Sequence, residues 1–260
     1  MDKKLVVSIL ISTGSYEKFV EEIFNLAENK ESSYVCISNV HMAIEAYQNT
    51  DFCRIVNKSD MATPDGMPLA KSIKYIHGIN QDRVAGMDLT IDLMKEAEKK
   101  EASIFIYGST DETLKLFEKK VKKDYPNLKL KTFSPPFKTL SDQEKSDHIQ
   151  MINEFNPTFV FVALGCPKQE KWMAEHKDKI NSCMIGLGGA IEVYAEVKDR
   201  APQWMQDNSL EWLYRLIQDP KRLWKRYLVT NSLFLVLFVV QFISKKLFNY
   251  NTKKDVENEK

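Results

Sequence analysis

No C-x-x-C pair occurs in this chain. Cys36, Cys53, Cys166 and Cys183 stand far apart, which speaks against a disulfide framework or a structural zinc site. The histidines, His41, His77, His148 and His176, form no H-E-x-x-H. A G-x-x-x-x-G-K-[ST] stretch is also missing, so a P-loop ATPase or kinase is not indicated. Met184 to Ala190 is glycine-rich, but the G-x-G-x-x-G is incomplete and no strand-end acid follows about 20 residues on, against a nicotinamide dinucleotide site. There is no Asp-x-Asp pair, so a divalent metal clamped on a pyrophosphate has no obvious ligands. Such charge would have to be met by Arg, Lys and backbone donors. The formal net charge of +1 is not that of a nucleic-acid-coating protein. The first apolar run, Leu5 to Ile11, is short and lacks a small-residue cleavage site, so no secretory signal is expected and a cytoplasmic protein is. No internal repeat is found, and the one low-complexity block is the polar tail after Asn249.

What is present is an alternation of short apolar runs with amphipathic stretches. Leu5 to Leu10 reads as a strand, and Ser15 to Leu26 as a helix because Phe19, Ile23 and Leu26 recur at helical spacing. Tyr34 to Ile37 is a second strand, followed by a helix over Met42 to Tyr47. A helix over Leu89 to Glu98 follows, with Asp88 as its N-cap. Then come a strand at Ile104 to Gly108, a helix from Glu112 to Lys123 and a strand at Leu128 to Lys131. Ser141 and Glu144 make a capping box for the next helix. This order predicts an α/β fold with a mostly parallel sheet covered on both faces.

The chain centres on Phe159 to Leu164, continuously apolar and therefore a strand buried on both faces. Gly165 frees the backbone at its carboxyl end, and Pro167 suits the first turn of a helix. Lys168, Gln169 and Glu170 there supply a cation, an amide and a carboxylate beside a helix start that favours anions, a corner suited to a phosphate-bearing ligand. The same pattern also serves an ordinary turn whose charges cap and solvate the helix. Asn39, at another strand end, either caps the following helix or reads a sugar hydroxyl or base edge. Pro64-Asp65-Gly66 has strong turn chemistry. Framed by Met61, Met67 and Leu69, its carboxylate has the setting of a general base with a raised pKa, and Asp65 is the best single candidate for chemistry. Arg83, before the glycine of a helix start, suits phosphate or is a surface arginine. Gly108 marks a third strand-end turn of phosphate-cradling type, and Gly188 lies in a fourth, glycine-rich strand exit.

From Arg200 the chain changes character. Basic residues then outnumber acidic ones by five, leaving the preceding part slightly acidic. A helix-like run from Ser209 to Ile217 stops near Asp219-Pro220, and cations alternate with aromatics from Lys221 to Tyr227. Arg215, Arg222 and Arg226 would share one helical face if the helix continued through Pro220. Ser232 to Ile243 is an apolar run closed by Lys245 and Lys246. It is shorter than the roughly 20 residues of a spanning helix. Its flanking aromatics and cations favour membrane contact, inserted or spanning, with a buried helix or homo-oligomer contact as the other reading.

Taken together, Asp60-x-x-x-x-Asp65-Gly66-Met67-Pro68-Leu69, Leu164-Gly165-x-Pro167-Lys168-Gln169-Glu170-x-Trp172, Gly186-x-Gly188, Arg200-Ala201-Pro202-x-Trp204 and Glu211 to Leu216 resemble, in order, the motifs of the WecG/TagA/CpsF glycosyltransferases. The resemblance implies a Rossmann-like core over 1–199, an appendage over 200–248 that docks on the membrane and completes the active site, and a polar tail over 249–260. It implies inverting, metal-independent and cofactor-free transfer from a UDP-sugar to a polyprenyl-diphosphate-linked sugar (undecaprenyl) at the cytoplasmic membrane face. N-acetylmannosamine or a related hexose is the expected donor sugar, and a cell-surface polysaccharide the product. Asp65 takes the place of the family's proposed base. Asn39, Arg83 and Gln169 fall where the family lines its substrate pocket, with Gly108, Gly188 and Arg200 added as substrate contacts. Arg215, Arg222 and Arg226 fall where the lipid diphosphate is approached. Ile37, Glu192 and Glu196 depart from residues common in the family, which bears on the donor sugar more than on the reaction.

Overall fold

A computed structural model describes residues 1–29 and 31–258, with side chains except those of 222 and 248–258. In chain order the elements are β1 Lys3–Val6, β2 Ile9–Ser12, α1 Tyr16–Glu28, β3 Ser33–Ser38, α2 Val40–Gln48, α3 Thr50–Asn57, β4 Met61–Pro64, α4 Met67–His77, α5 Gly86–Lys99 and β5 Ser103–Gly108. They continue with α6 Asp111–Asp124, β6 Lys129–Phe133, α7 Asp142–Phe155, β7 Phe159–Ala163, α8 Lys168–His176, β8 Cys183–Gly186 and α9 Gly189–Tyr194. The carboxyl-terminal helices are α10 Gln203–Asp207, α11 Glu211–Gln218 and α12 Pro220–Asn258.

Six strands form a parallel sheet in the order β4-β3-β8-β7-β5-β6. The central strand β7 shows why its sequence is apolar throughout. Phe159 and Phe161 enter one core with Phe19, Leu93, Phe117 and Ile191, whereas Val160 and Val162 enter the other with Met42, Ile73, Ile152 and Met173. Alternate residues of a strand face opposite ways, so a strand with helices on both sides has no polar face. Helices α1, α5, α6 and α9 cover the first face, and α2, α4, α7 and α8 the second. Each fully buried large apolar side chain contributes about 1.5–3 kcal/mol.

Three expectations are corrected. Leu5 to Leu10 is not one strand: the chain turns at Val7, with φ of 58°, and β1 and β2 form an antiparallel hairpin outside the main sheet. The stretch is apolar on both sides of the turn because Val6, Ile9 and Ile11 all bury against the second face. Helix α5 begins at Gly86, so Asp88 lies inside its first turn instead of capping it. Finally, the chain breaks at Asp219, φ −138° and ψ 65°, so Arg215 is on a different helix from Arg226 and they share no helical face. The expected N-caps Asn39 and Ser141 are in place, the latter in a complete capping box. All four cysteines are free.

The sheet topology places a crevice. Helix α2 leaves β3 toward the second face and α9 leaves β8 toward the first. Between adjacent strands whose following helices part in this way, the carboxyl ends stay uncovered, the place where open α/β sheets bind ligands. Asn39 stands on one side of this gap and Gly188 on the other, with Asp65 at the end of the neighbouring edge strand.

Candidate active site

Asp65 is held by its own backbone. Its N–H donates to Ser38 O at 2.7 Å and to Thr63 O at 3.1 Å, while Pro64 O accepts from Val84 N at 3.0 Å. These bonds fasten the turn to the end of β3 and to the segment leading into α5. The Asp65 carboxylate, partly exposed, accepts from the Gly86 N–H at the start of α5. Removal from water pushes its pKa up to about 6, and the nearby Glu211 carboxylate adds to the rise; Arg215, Arg83 and the Gly86 N–H oppose it. A carboxylate so poised takes up a proton near neutral pH, as a general base requires. Asp60, the other acid of its motif, is at the far end of β4, where it accepts from Tyr34 N at 2.8 Å and pairs with Lys177 at 3.0 Å. It clamps the sheet and is remote from the crevice.

Around Asp65 the segment 200–218 is knitted to the core through charge. Arg83 Nη1 donates to Glu211 Oε2 at 3.2 Å, and its Nη2 to Gln206 Oε1 at 2.8 Å and Asp88 Oδ2 at 3.3 Å. Glu211 also accepts from Arg215 Nη2 at 2.5 Å. Arg200 reaches Asp88 and, at 3.2 Å, Gln206 Oε1. Gln206 is buried and donates to Ala201 O at 2.6 Å. Arg83 and Arg215 are thus brought beside Asp65, with Arg200 joined to the same network through Asp88 and Gln206. Arg83 is nearly covered, at 13% exposure, whereas Arg215, paired with Glu211, is about half exposed. An open hollow of about 330 Å3, lined by Tyr16, Arg83, Asp88, Ile91 and Asp92, adjoins this network.

Asn39 caps α2, its Oδ1 accepting from Met42 N at 3.1 Å. Gln169 is placed otherwise than a ligand-reading amide would be. It is buried, donates to Gly186 O at 2.9 Å and Glu170 Oε1 at 2.8 Å, and accepts from Gly165 N at 3.2 Å. A Cβ on Gly186 would sit 2.8 Å from Gln169 Nε2, and one on Gly188 3.1 Å from its Oε1. The glycines at and after the end of β8 make room for this amide, which braces the crevice floor. Gly108 also has a packing reason: a Cβ there would come within 2.6 Å of the Ala163 carbonyl. Lys168 is exposed at the same corner, while Glu170 is fully buried, with Oε2 lacking a hydrogen-bond partner and a pKa pushed up by burial to about 7.

Arg226, on α12, lies near His41 in the first turn of α2. Its guanidinium stacks 5.3 Å from the Tyr227 ring, its Nε has no hydrogen-bond partner, and its charge helps to depress the pKa of His41 in the first turn of α2 after burial, the larger cause. The Arg222 side chain is outside the described residues. Among the described residues, no group of three or more His, Cys, Asp or Glu side chains is placed to hold a metal ion. Sequence reasoning missed Gln206, and noted Glu211 only within a motif. Its signal was the Trp-Leu-Tyr-Arg run after Glu211, which does not say where in the fold the acid lands.

Comparison with known proteins adds the following. The sequence model of the glycosyl transferase WecG/TagA/CpsF family matches residues 5–247. A Bacillus subtilis protein named N-acetylglucosaminyldiphosphoundecaprenol N-acetyl-beta-D-mannosaminyltransferase is 32% identical over 229 residues, 88% of this chain and 87% of that protein. Proteins of the same name from Bacillus spizizenii and Staphylococcus aureus are 32% and 28% identical, over 78% and 79% of this chain and 77% and 81% of theirs.

Proposed function

This chain belongs to the WecG/TagA/CpsF glycosyltransferase family, and from that premise we propose that it moves a sugar from a UDP-sugar onto an undecaprenyl-diphosphate-linked N-acetylglucosamine at the cytoplasmic membrane face. The names of the relatives support that acceptor, and N-acetylmannosamine as the sugar transferred. The observation that carries the reading is the Asp65 carboxylate, lifted to about 6 at the crevice rim and flanked by Arg83 and Arg215.

In the proposed reaction the acceptor hydroxyl oxygen attacks the anomeric carbon from the face opposite the nucleotide. Its proton passes to Asp65. The bond from that carbon to the UDP oxygen breaks, UDP keeps the electron pair, and the configuration inverts. Arginine and backbone donors meet the charge on the leaving diphosphate, so no metal is required. Arg83 and Arg200 hold the network that shapes the donor side, with Asn39 at the crevice rim. Gly108, Gln169 and Gly188 set its floor, and Arg215, Arg222 and Arg226 approach the acceptor diphosphate. Residues 1–199 act as the catalytic core and 200–248 as the appendage that completes the site.

The test is UDP release from UDP-N-acetylmannosamine and a short-chain lipid-diphosphate-linked N-acetylglucosamine with EDTA present. Turnover in the wild type that is lost in Asp65→Asn, with donor binding kept, supports the proposal. A folded wild type that turns over none of a panel of UDP-sugars overturns it in favour of a binding protein.

A further inference from the structure

The exits of β7 and β8 are joined through one side chain. Leu187 N and Gly188 N both donate to Val162 O, at 3.0 and 3.1 Å, which ends the backbone pairing of the two strands. The Gln169 amide extends the link: its Oε1 accepts from Gly165 N, beyond β7, and its Nε2 donates to Gly186 O, the last residue of β8. Gly188 packs on the same amide. The turn that walls the crevice therefore takes its position from Gln169.

Glu170 decides which way that amide faces. A side-chain amide has two N–H donors, and the one not used by Gly186 goes to Glu170 Oε1 at 2.8 Å. Turned over, the amide would set its N–H groups against the Gly165 N–H and its oxygen against two acceptor oxygens. Glu170 itself is fully buried, and its Oε2 has no hydrogen-bond partner. A carboxylate so placed is costly unless a cation meets it; the neutral acid is not. Helix α8 packs on β3, β7, β8 and α3. From these elements the titratable groups that face Glu170 are Cys36 of β3 and Cys166 past the end of β7, both held as neutral thiols by burial, and Glu45 of α2 acts on Cys166 in turn. Among the described residues no lysine or arginine charge acts on Glu170. Burial lifts its pKa to about 7, opposed less strongly by Gln169, its own backbone N–H and the Cys166 thiol.

We propose that Glu170 is the positioning residue of the crevice floor: as the neutral acid it holds the Gln169 amide across the exits of β7 and β8, and on losing its proton it releases that hold. Ionisation sets a negative charge beneath the floor with Oε2 unmatched. Opening the corner to water relieves it, and the amide then leaves Gly165 and Gly186. A crevice that receives an anionic nucleotide loses affinity for it on the alkaline side, through a group that does not touch the ligand. The nucleotide rests on the proposed transferase reading; the hold on the amide does not.

The experiment uses the full chain and two readouts. Hydrogen exchange at the Gly165 N–H, corrected for intrinsic exchange, reads the hold with no ligand present. Glu170→Gln keeps an acceptor for Gln169 and cannot ionise. With Glu170 at about 7 in the fold and at its ordinary 4.5 once opened to water, protection at Gly165 is expected to fall about tenfold more in wild type than in Glu170→Gln between pH 6 and pH 8.5. UDP affinity, by calorimetry over the same range, reads the consequence. UDP and Asp65 titrate in both proteins, so the difference isolates Glu170: wild-type affinity is expected to fall by about threefold or more beyond that of Glu170→Gln. Glu170→Leu, which removes the acceptor, is expected to bind UDP more weakly at every pH, and thermal melting checks that each variant is folded. Parallel UDP curves in wild type and Glu170→Gln would leave Glu170 a structural residue only and overturn the proposal. Equal pH dependence of Gly165 protection in the two, or wild-type affinity in Glu170→Leu, would also overturn it. If the folded wild type binds no UDP at any pH, the transferase reading fails, and Gly165 protection alone decides whether Glu170 holds the floor.

Discussion

Glu211 stands beside Asp65 and raises its pKa, while the same carboxylate pairs with Arg83 at 3.2 Å and Arg215 at 2.5 Å. One acid on α11 thus makes Asp65 a stronger base and balances the two cations that would otherwise hold it ionised. The helix carrying Glu211 belongs to the segment that the sequence marks off by its charge, so the network around Asp65 is complete only when that segment is docked.

Glu211→Gln removes the like charge and leaves Arg83 and Arg215 to act on Asp65 unopposed. The Asp65 pKa is expected to fall below about 6, moving the acid limb of the kcat/KM profile to lower pH. Turnover at pH 7.5 should drop roughly threefold to tenfold as the base weakens. A pH profile with UDP release as readout checks this; an acid limb displaced upward would contradict it.

Asp65→Asn is expected to lower kcat by about 10²- to 10⁴-fold while making the fold more stable at neutral pH. The folded pKa, about 6, is above the model-compound value of 3.8. The protonated group therefore contributes stability that is fully present below the unfolded pKa and lost as pH rises through 6. The variant no longer ionises, so at pH 7.5 it should gain about 1–2 kcal/mol over the wild type and near pH 4 almost nothing. Chemical denaturation at the two pH values measures the difference.

Glu170 offers a second pH test, away from Asp65. Burial raises its pKa from 4.5 to about 7, so its protonated form stabilises the fold at low pH and this stability is lost as pH rises through 7. Glu170→Gln mimics the protonated acid and keeps an acceptor for Gln169. The melting temperature of the variant relative to wild type is expected to be higher at pH 8.5 than at pH 5.5 by a few degrees.

Gly186→Ala would put a methyl group 2.8 Å from Gln169 Nε2 and 3.0 Å from Met173 Cε. A cost of about 1–3 kcal/mol is expected. If the clash is with the amide, adding Gln169→Ala should cost less than the sum of the two single changes, by at least about 0.5 kcal/mol. Strict additivity in a denaturation cycle would remove Gln169 from the account.

Arg83→Lys keeps the charge but cannot fork across Glu211, Gln206 and Asp88. The 200–218 segment should detach more often, so limited proteolysis around Asn208 to Gln218 is expected to run roughly tenfold faster with the core left intact.

Much of this protein was legible in the order of its residues. Strand and helix periodicity predicted a parallel sheet covered on both faces, because a buried strand such as β7 must be apolar at every position. Asp65 stood out because turn chemistry inside an apolar frame leaves a carboxylate short of water, and the motif order pointed to the family. Local pattern failed where a different partner decided the outcome. The apolar run from Leu5 to Ile11 says burial and not which side, and only packing on the second face turns it into a hairpin. Gln169 looked like a ligand-reading amide, yet its donors and acceptor are consumed by Gly165, Glu170 and Gly186, residues brought together by β7 and β8. Glu211 and Gln206 meet Arg83 only because α10 and α11 fold back over the start of α5. Hydrogen bonds and charge act over a few ångströms in space, and spacing along the chain does not record distances between elements that meet only in the folded state. Hence the sequence by itself determined the sheet and its two cores and singled out Asp65 as the candidate acid, while the tertiary structure decided what surrounds that acid and which face of α12 is left open.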